Sequence, residues 1–280
     1  MSASTNGETG YAEINGARLY YEIAGAGQPL VLLHAGIADS RMWDDQFAVF
    51  AQRYKVIRYD HRGFGKSSMP PGPYVFREDL LGLLRHLGIA RASLIGVSMG
   101  GRLAVDFTLE HPEMVEALIP VCAGLSGFEP NPSEIAPEEL AYWEQLEAAD
   151  KASDAERLNE LEVHLWVDGL RRAPERVNPA VRARVREMNA ANIARAAEQE
   201  QAQSQPLQPP ATGRLGEIHA PTLVIVGAED NSTVQTAVNR LATEIPGAKK
   251  VVMRDTAHVP NMEKPEEFNR IVLEFLASLG

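Results

Sequence analysis

The chain is short of cysteine, of positive charge and of long apolar runs, and each shortage excludes something. Cys122 is the single cysteine among 280 residues, so no internal disulfide can form. That usage points to a reducing compartment, and we expect a cytoplasmic protein. Neither an H-E-x-x-H helix nor a cysteine cluster is present, so we expect no metal and no organic cofactor. Lys and Arg number 27 against 38 Asp and Glu, a net charge of −11, which argues against a nucleic-acid partner or an anionic membrane. No apolar stretch nears the roughly 20 residues that a membrane helix needs. Met1 to Gly10 is polar and lacks the apolar segment of a secretory signal. Hydrophobic and charged contents of 45% and 23% remain those of an ordinary globular chain, long enough for one large α/β domain or two small ones. The expected partner is a small molecule, and the expected state a monomer or homodimer.

What the chain does contain is a serine on a bend. In Ser93-Leu94-Ile95-Gly96-Val97-Ser98-Met99-Gly100-Gly101-Arg102 an apolar run arrives, glycines flank Ser98, and a helical pattern departs through Leu103, Ala104 and Phe107. The pentapeptide G-x-S-x-G is weak alone, but strand before and helix after are the setting that a nucleophile elbow requires. Such a turn strains the serine and holds its hydroxyl clear of the sheet. The departing helix aims N–H groups at negative charge developing beside it.

Taken in order, the chain opens with alternating residues 11–23 around Asn15-Gly16, a hairpin signal. Pro29 to Leu33 is a continuous apolar run, suited to a strand buried on both faces. Helical spacing follows from Arg41 to Phe50, a strand from Tyr54 to Tyr59, and a glycine-rich loop from Asp60 to Ser68. Phe76 to Leu87 is an amphipathic helix stopped by Gly88. Ala92 to Val97 carries the elbow, Ser98 to Glu110 is the next helix, and Val115 to Val121 the next strand. This cadence means a mostly parallel sheet covered on both faces. It breaks at Gly124. From there to Gly213 no convincing strand is visible, and the pattern is helical and charged between proline-rich ends. We therefore expect a core of residues 1–123 and 214–280 with a helical cap inserted at 124–213. The sheet resumes at Pro221 to Val226 and Ala248 to Met253, separated by a helix from Thr233 to Ile245; Pro265 to Leu279 is the closing helix.

Three strand ends carry chemistry in the order Ser98, Asp230, His258. A serine hydroxyl is a poor nucleophile until an imidazole takes its proton, and the imidazole needs a carboxylate to fix its tautomer. Of seven histidines, only His258 follows a late strand with small neighbours on both sides. His86 and His111 read as helix-surface residues, His61 and His219 as loop residues, and His164 belongs to the cap. For the acid, Glu229 should point away and Asp255 should shape the turn before His258. The end of the strand before the cap reads Cys122-Ala123-Gly124 and offers no carboxylate, which leaves Asp230. Cys122 itself lies in an apolar run and reads as a buried small hydrophobe without the electropositive neighbours of a reactive thiol. The oxyanion donors should be the N–H groups of Met99 and of Gly36, with Ile37 the second choice. His34 reads as structural, its ring bonding the loop backbone. Phe128, Trp143 and Trp166 are candidate pocket walls with Ile37 and Val259, although simple packing of the cap helices on the sheet is the preferred reading of those three aromatics.

Four motifs together resemble the α/β-hydrolase superfamily: Leu32-Leu33-His34-Ala35-Gly36, Asp60-His61-Arg62-Gly63-Phe64-Gly65-Lys66-Ser67, Gly96-Val97-Ser98-Met99-Gly100-Gly101, and Ala257-His258-Val259-Pro260-Asn261-Met262-Glu263-Lys264-Pro265. The chain is most similar to the branch of small carboxylesterases, enol-lactone hydrolases and cofactor-free haloperoxidase-type perhydrolases. That resemblance implies an α/β-hydrolase fold, with a mostly parallel eight-stranded sheet flanked by helices and an inserted helical cap. It implies a serine hydrolase acting on a small ester or lactone. Ala35 departs from the branch, which usually has glycine there. Ser98 excludes the relatives whose nucleophile is aspartate. Carbon–carbon hydrolases of ring-cleavage products often carry tryptophan after the catalytic histidine, and Val259 stands there instead, so that activity is the alternative, beside perhydrolysis. A ligand receptor on the same fold is the rival of another class.

Overall fold

The computed structural model describes residues 7–280; residues 1–6 of the polar segment read as lacking a secretory signal lie outside the described residues. The chain begins with β1 (Glu8–Ile14) and β2 (Ala17–Ala24), turned on Asn15 and Gly16 at φ 48° and 78°. That pair of positive φ values matches the right-handed twist of the strands, which is why Asn-Gly suits this turn. Then come β3 (Pro29–Leu33), a 3₁₀ turn leading into α1 (Asp44–Phe50), β4 (Lys55–Tyr59), β5 (Gly72–Tyr74), α2 (Phe76–His86), β6 (Ala92–Val97), α3 (Met99–Glu110) and β7 (Val115–Val121). The next stretch holds α4 (Pro137–Lys151), α5 (Ala155–Val163), a π-helical turn (His164–Asp168), α6 (Pro179–Ile193), α7 (Ala196–Glu200) and the short β8 (Ala202–Ser204). The chain closes with β9 (Leu223–Gly227), α8 (Ser232–Glu244), β10 (Lys249–Met253), α9 (Pro260–Glu263) and α10 (Pro265–Ala277).

Eight strands form one sheet in the order β1-β2-β4-β3-β6-β7-β9-β10. Pairings β1–β2 and β2–β4 are antiparallel and the others parallel. Every residue of β6 and β9 is buried, so their continuous apolar sequence meets helices on both faces. Because the parallel strands share one direction, the loops after β3, β6, β7, β9 and β10 open on the same edge of the sheet.

One reading is corrected here. The stretch from Gly124 to Gly213 is not free of strand: β8 pairs in parallel with β5, Gly72 opposite Ala202 and Tyr74 opposite Ser204. Each strand has three residues, one pair includes Pro73, and the partners are more than a hundred residues apart. Main-chain bonds make the pairing, and no alternation of side chains announces it.

The loop after β4 is folded by its own motif. Asp60 accepts hydrogen bonds from the N–H groups of Ser40 and Lys66, both at 2.8 Å, and a side chain at Gly65 would strike that carboxylate. Arg62 pairs with Asp79 at 2.7 Å, both side chains almost wholly buried. These bonds bring His61 under the sheet edge, against His34.

Candidate active site

Ser98 stands between β6 and α3 at φ 55° and ψ −113°, a conformation that costs a non-glycine residue about 1–3 kcal/mol. The surroundings enforce it. Ser98 N–H donates to Val121 O at 2.9 Å, fixing the serine to the adjacent strand. A side chain at Gly96 would strike the backbone of Gly100, and one at Gly100 would strike the carbonyls of Leu33 and His34. Helix and strands therefore approach closely only because these positions are glycine. Ser98 and Met99 remain partly exposed in an otherwise buried segment.

Asp230 follows β9 and His258 follows β10, the neighbouring strand. His258 Nδ1 lies 2.7 Å from Asp230 Oδ2, and both side chains are essentially buried. The other carboxylate oxygen of Asp230 accepts from Asn231 N–H at 2.9 Å. Nδ1–H donates to the Asp230 carboxylate, which fixes the tautomer and leaves Nε2 as the basic nitrogen. Nε2 is buried and has no partner, so a Ser98–His258 hydrogen bond is not formed here. Such bonds are often open before substrate binds.

Cys122 follows β7, between the Ser98 and Asp230 strand ends, at φ 44°. Its sulfur and the ligand atoms of Asp230 and His258 lie within 4.8 Å of one another. This is the one group among the described residues close enough to hold a metal ion. The donor chemistry opposes one: burial, with Asp230 beside it, pushes the thiol well above its usual pKa, and a metal would have to break the Asp230–His258 bond.

Met99 and Gly36 come together. A methyl built on Gly36 would lie 3.9 Å from Met99 Sδ and 4.0 Å from its Cβ. Arg102 N–H donates to Ser98 O at 2.9 Å, the first bond of α3, so the amide of Met99 belongs to the unsatisfied first turn. His34 bonds the loop backbone, as its sequence setting suggests: His61 N–H donates to Nε2 at 2.9 Å, which requires that Nδ1–H donate to Ala35 O at 2.8 Å. Burial lowers the pKa of both His34 and His61, so both rings are neutral near pH 7. Sequence reading missed Asn192 of α6. Its amide donates to Gly36 O at 3.3 Å and Ala38 O at 3.1 Å, tying the helical insertion to the loop beside Ser98.

Trp166 lies on the π-helical turn. Its indole is 4.3 Å from the His258 ring, centroid to centroid, and its carbonyl accepts from His258 N–H at 3.0 Å. Trp143 packs on Trp166 at 5.7 Å, over Leu146, Leu161 and Leu165. The turn is anchored from below. Arg172 donates to the carbonyls of Val167, Asp168 and Asp255 and pairs with Glu263 at 2.5 Å, while Glu263 accepts from Ala257 N–H at 2.7 Å. The spacing of the sequence gives no sign of a π turn, so the indole's approach to the imidazole was not readable from it.

A cavity of about 400 Å³ opens beside Met99. Its walls are α3 through Met99, Arg102, Leu103 and Asp106, α2 through Phe76 and Arg77, the ring of His61, and the two ends of the insertion at 125–128 and 204–206. Phe128, expected as a wall, is one. The other four expected walls do not line this cavity. Ile37 and Val259 are buried in the core, Trp143 packs within the insertion, and Trp166 covers His258. His61 is the converse case: read as a loop residue, it borders the cavity.

Comparison with known proteins identifies the family. The family model of the alpha/beta hydrolase fold matches residues 28–265, and the chain belongs to that family. The 2-hydroxy-6-oxononadienedioate/2-hydroxy-6-oxononatrienedioate hydrolase of Burkholderia vietnamiensis is 33% identical over 92% of this chain and 91% of its own length. Among solved structures, the enol-lactonase of Burkholderia xenovorans LB400 is 30% identical at TM-score 0.74, covering 96% of this chain and all (100%) of its own. A bromoperoxidase from Bacillus anthracis, 25% identical, reaches TM-score 0.78 over 96% of this chain and 100% of its own. The protein is thus an α/β-fold hydrolase.

Proposed function

We propose that the protein hydrolyses a carboxylic ester or lactone of a small molecule through an acyl-enzyme on Ser98. The observation that carries this reading is the buried Asp230–His258 pair, 2.7 Å apart with Nε2 unpartnered, on the sheet edge that also presents Ser98. Nε2 takes the hydroxyl proton as Oγ attacks the carbonyl. Asp230 holds the ring and stabilises the imidazolium. The N–H groups of Met99 and Gly36 receive the oxyanion, each donor being worth about 10²–10³ in rate. Nε2 then returns the proton to the leaving alcohol, and water repeats the sequence to free the acid. Every step is a proton or acyl transfer made by residues of this chain.

Carbon–carbon hydrolysis is the second reading, favoured by the Burkholderia vietnamiensis relative. Trp166 adds to it, bringing an indole to His258 from the insertion where that class often carries one on the next residue. A panel of p-nitrophenyl esters, enol-lactones and a ring-cleavage vinylogous diketone, assayed by kcat/KM, separates the two. The account predicts the highest values for esters or lactones, and loss of about 10⁴-fold or more in kcat on Ser98→Ala. A preference for the diketone selects the second reading.

A further inference from the structure

The cavity beside Met99 is built unlike an apolar acyl slot. Met99, Arg102, Leu103 and Asp106 fall at positions i, i+3, i+4 and i+7 of α3, so they form one stripe running from the oxyanion donor down the cavity wall. Two arginines stand on that wall and differ in state. Arg77 is engaged by Glu110 at 2.6 Å. Arg102 is exposed and has neither ion pair nor side-chain hydrogen bond among the described residues, although it sits one helical turn from Ser98. Asp106, the carboxylate on the same wall, accepts a hydrogen bond from Ser126 Oγ at 2.6 Å, and burial raises its pKa against the opposing pull of Ser126 and Arg102. His61 supplies an independent sign. It is wholly buried just behind the cavity wall, and both ring nitrogens lack a partner. Neither nitrogen has accessible surface, so a ligand meets them only when the ring turns out of the wall; a neutral imidazole then offers one donor and one acceptor, and buried polar groups are rarely left unpaired without cause.

We propose that this cavity is an acyl-side subsite for a carboxylate, with Arg102 pairing the anionic end of the substrate and His61 hydrogen-bonding along its length. The inference rests on the ester-hydrolase reading and deepens it: the substrates are half-esters or lactones of dicarboxylic acids. The chain's net charge of −11 does not oppose this, because the cavity wall that begins at Met99 carries its own cation. Cβ atoms three residues apart on a helix are about 5–6 Å from each other, so a short diacid spans the oxyanion donor and the guanidinium.

The test compares mono-p-nitrophenyl glutarate with p-nitrophenyl valerate, which differ at the far end of the acyl chain. On Arg102→Gln the ratio of kcat/KM for the anionic ester to that for the neutral ester falls about tenfold or more, chiefly through KM, and Arg102→Lys restores part of it. A ratio unchanged in Arg102→Gln overturns the subsite. Calorimetric binding of glutarate to Ser98→Ala supplies a readout free of turnover. Binding weakened about tenfold by the added Arg102→Gln supports the subsite, and equal or no binding in both proteins overturns it. Failure of the ester-hydrolase reading is recognised separately, by p-nitrophenyl valerate turnover that survives Ser98→Ala.

Discussion

Ser98 shows how one residue trades stability against chemistry. Its φ of 55° is held by a hydrogen bond to Val121 and by the glycines on either side. Glycine meets no Cβ penalty in that region. Ser98→Gly is therefore expected to raise unfolding free energy by about 1 kcal/mol in urea denaturation, while ester turnover is lost. Ser98 was legible because a helix and a strand can meet this closely only through glycine, and that requirement is written in adjacent letters. Asp230 and His258 were legible in another way, as the acid and the imidazole in the loops after the last two strands, β9 and β10. Trp166 and Asn192 were not legible. Each acts through a contact made across roughly ninety or more residues of chain, and neither stands in a local pattern that demands it.

At the scale of elements, the π-helical turn His164–Asp168 is the piece that brings the insertion onto the His258 loop. It is closed by Gly169 at φ 78°, and a side chain there would press on Glu229 O and Ala257. π turns are rare and cluster at functional sites, because the extra residue redirects a side chain. Here the redirected side chain is Trp166, whose ring bounds one face of the His258 imidazole. Trp166→Ala should lower kcat about tenfold or more by freeing the imidazole, and Trp166→Phe should recover most of it; steady-state kinetics on a p-nitrophenyl ester checks both. Equal loss in the two variants would mean that the indole does something other than hold the ring. The strands of the main sheet and the flanking helices were readable from period and punctuation. The β5–β8 pair was not, since three-residue strands carry no period at all.

For the whole molecule, the loops after β3 and β4 form a buried polar layer beneath the site. His34 and His61 have rings 4.1 Å apart, both fully buried and both held below the ordinary histidine pKa by desolvation. The sign follows from linkage. In the unfolded chain each takes a proton near pH 6.5, and in the native protein neither does. Stability is thus fully present above about pH 6.5 and falls as the pH drops below it, by at most about 1.4 kcal/mol per pH unit for each histidine. His61→Phe removes one of the two contributions. Urea denaturation at pH 7.0 and 5.5 should show a smaller loss between the two pH values in that variant than in the parent protein.

The central claim is that residue 98 is the attacking nucleophile of an acyl transfer. Treatment with a fluorophosphonate, followed by peptide mass spectrometry, tests it most directly. The account predicts one phosphonate per chain on the peptide containing Ser98, with ester turnover lost in proportion to labelling. A labelled residue elsewhere, or full turnover by protein that is fully labelled at Ser98, would contradict it.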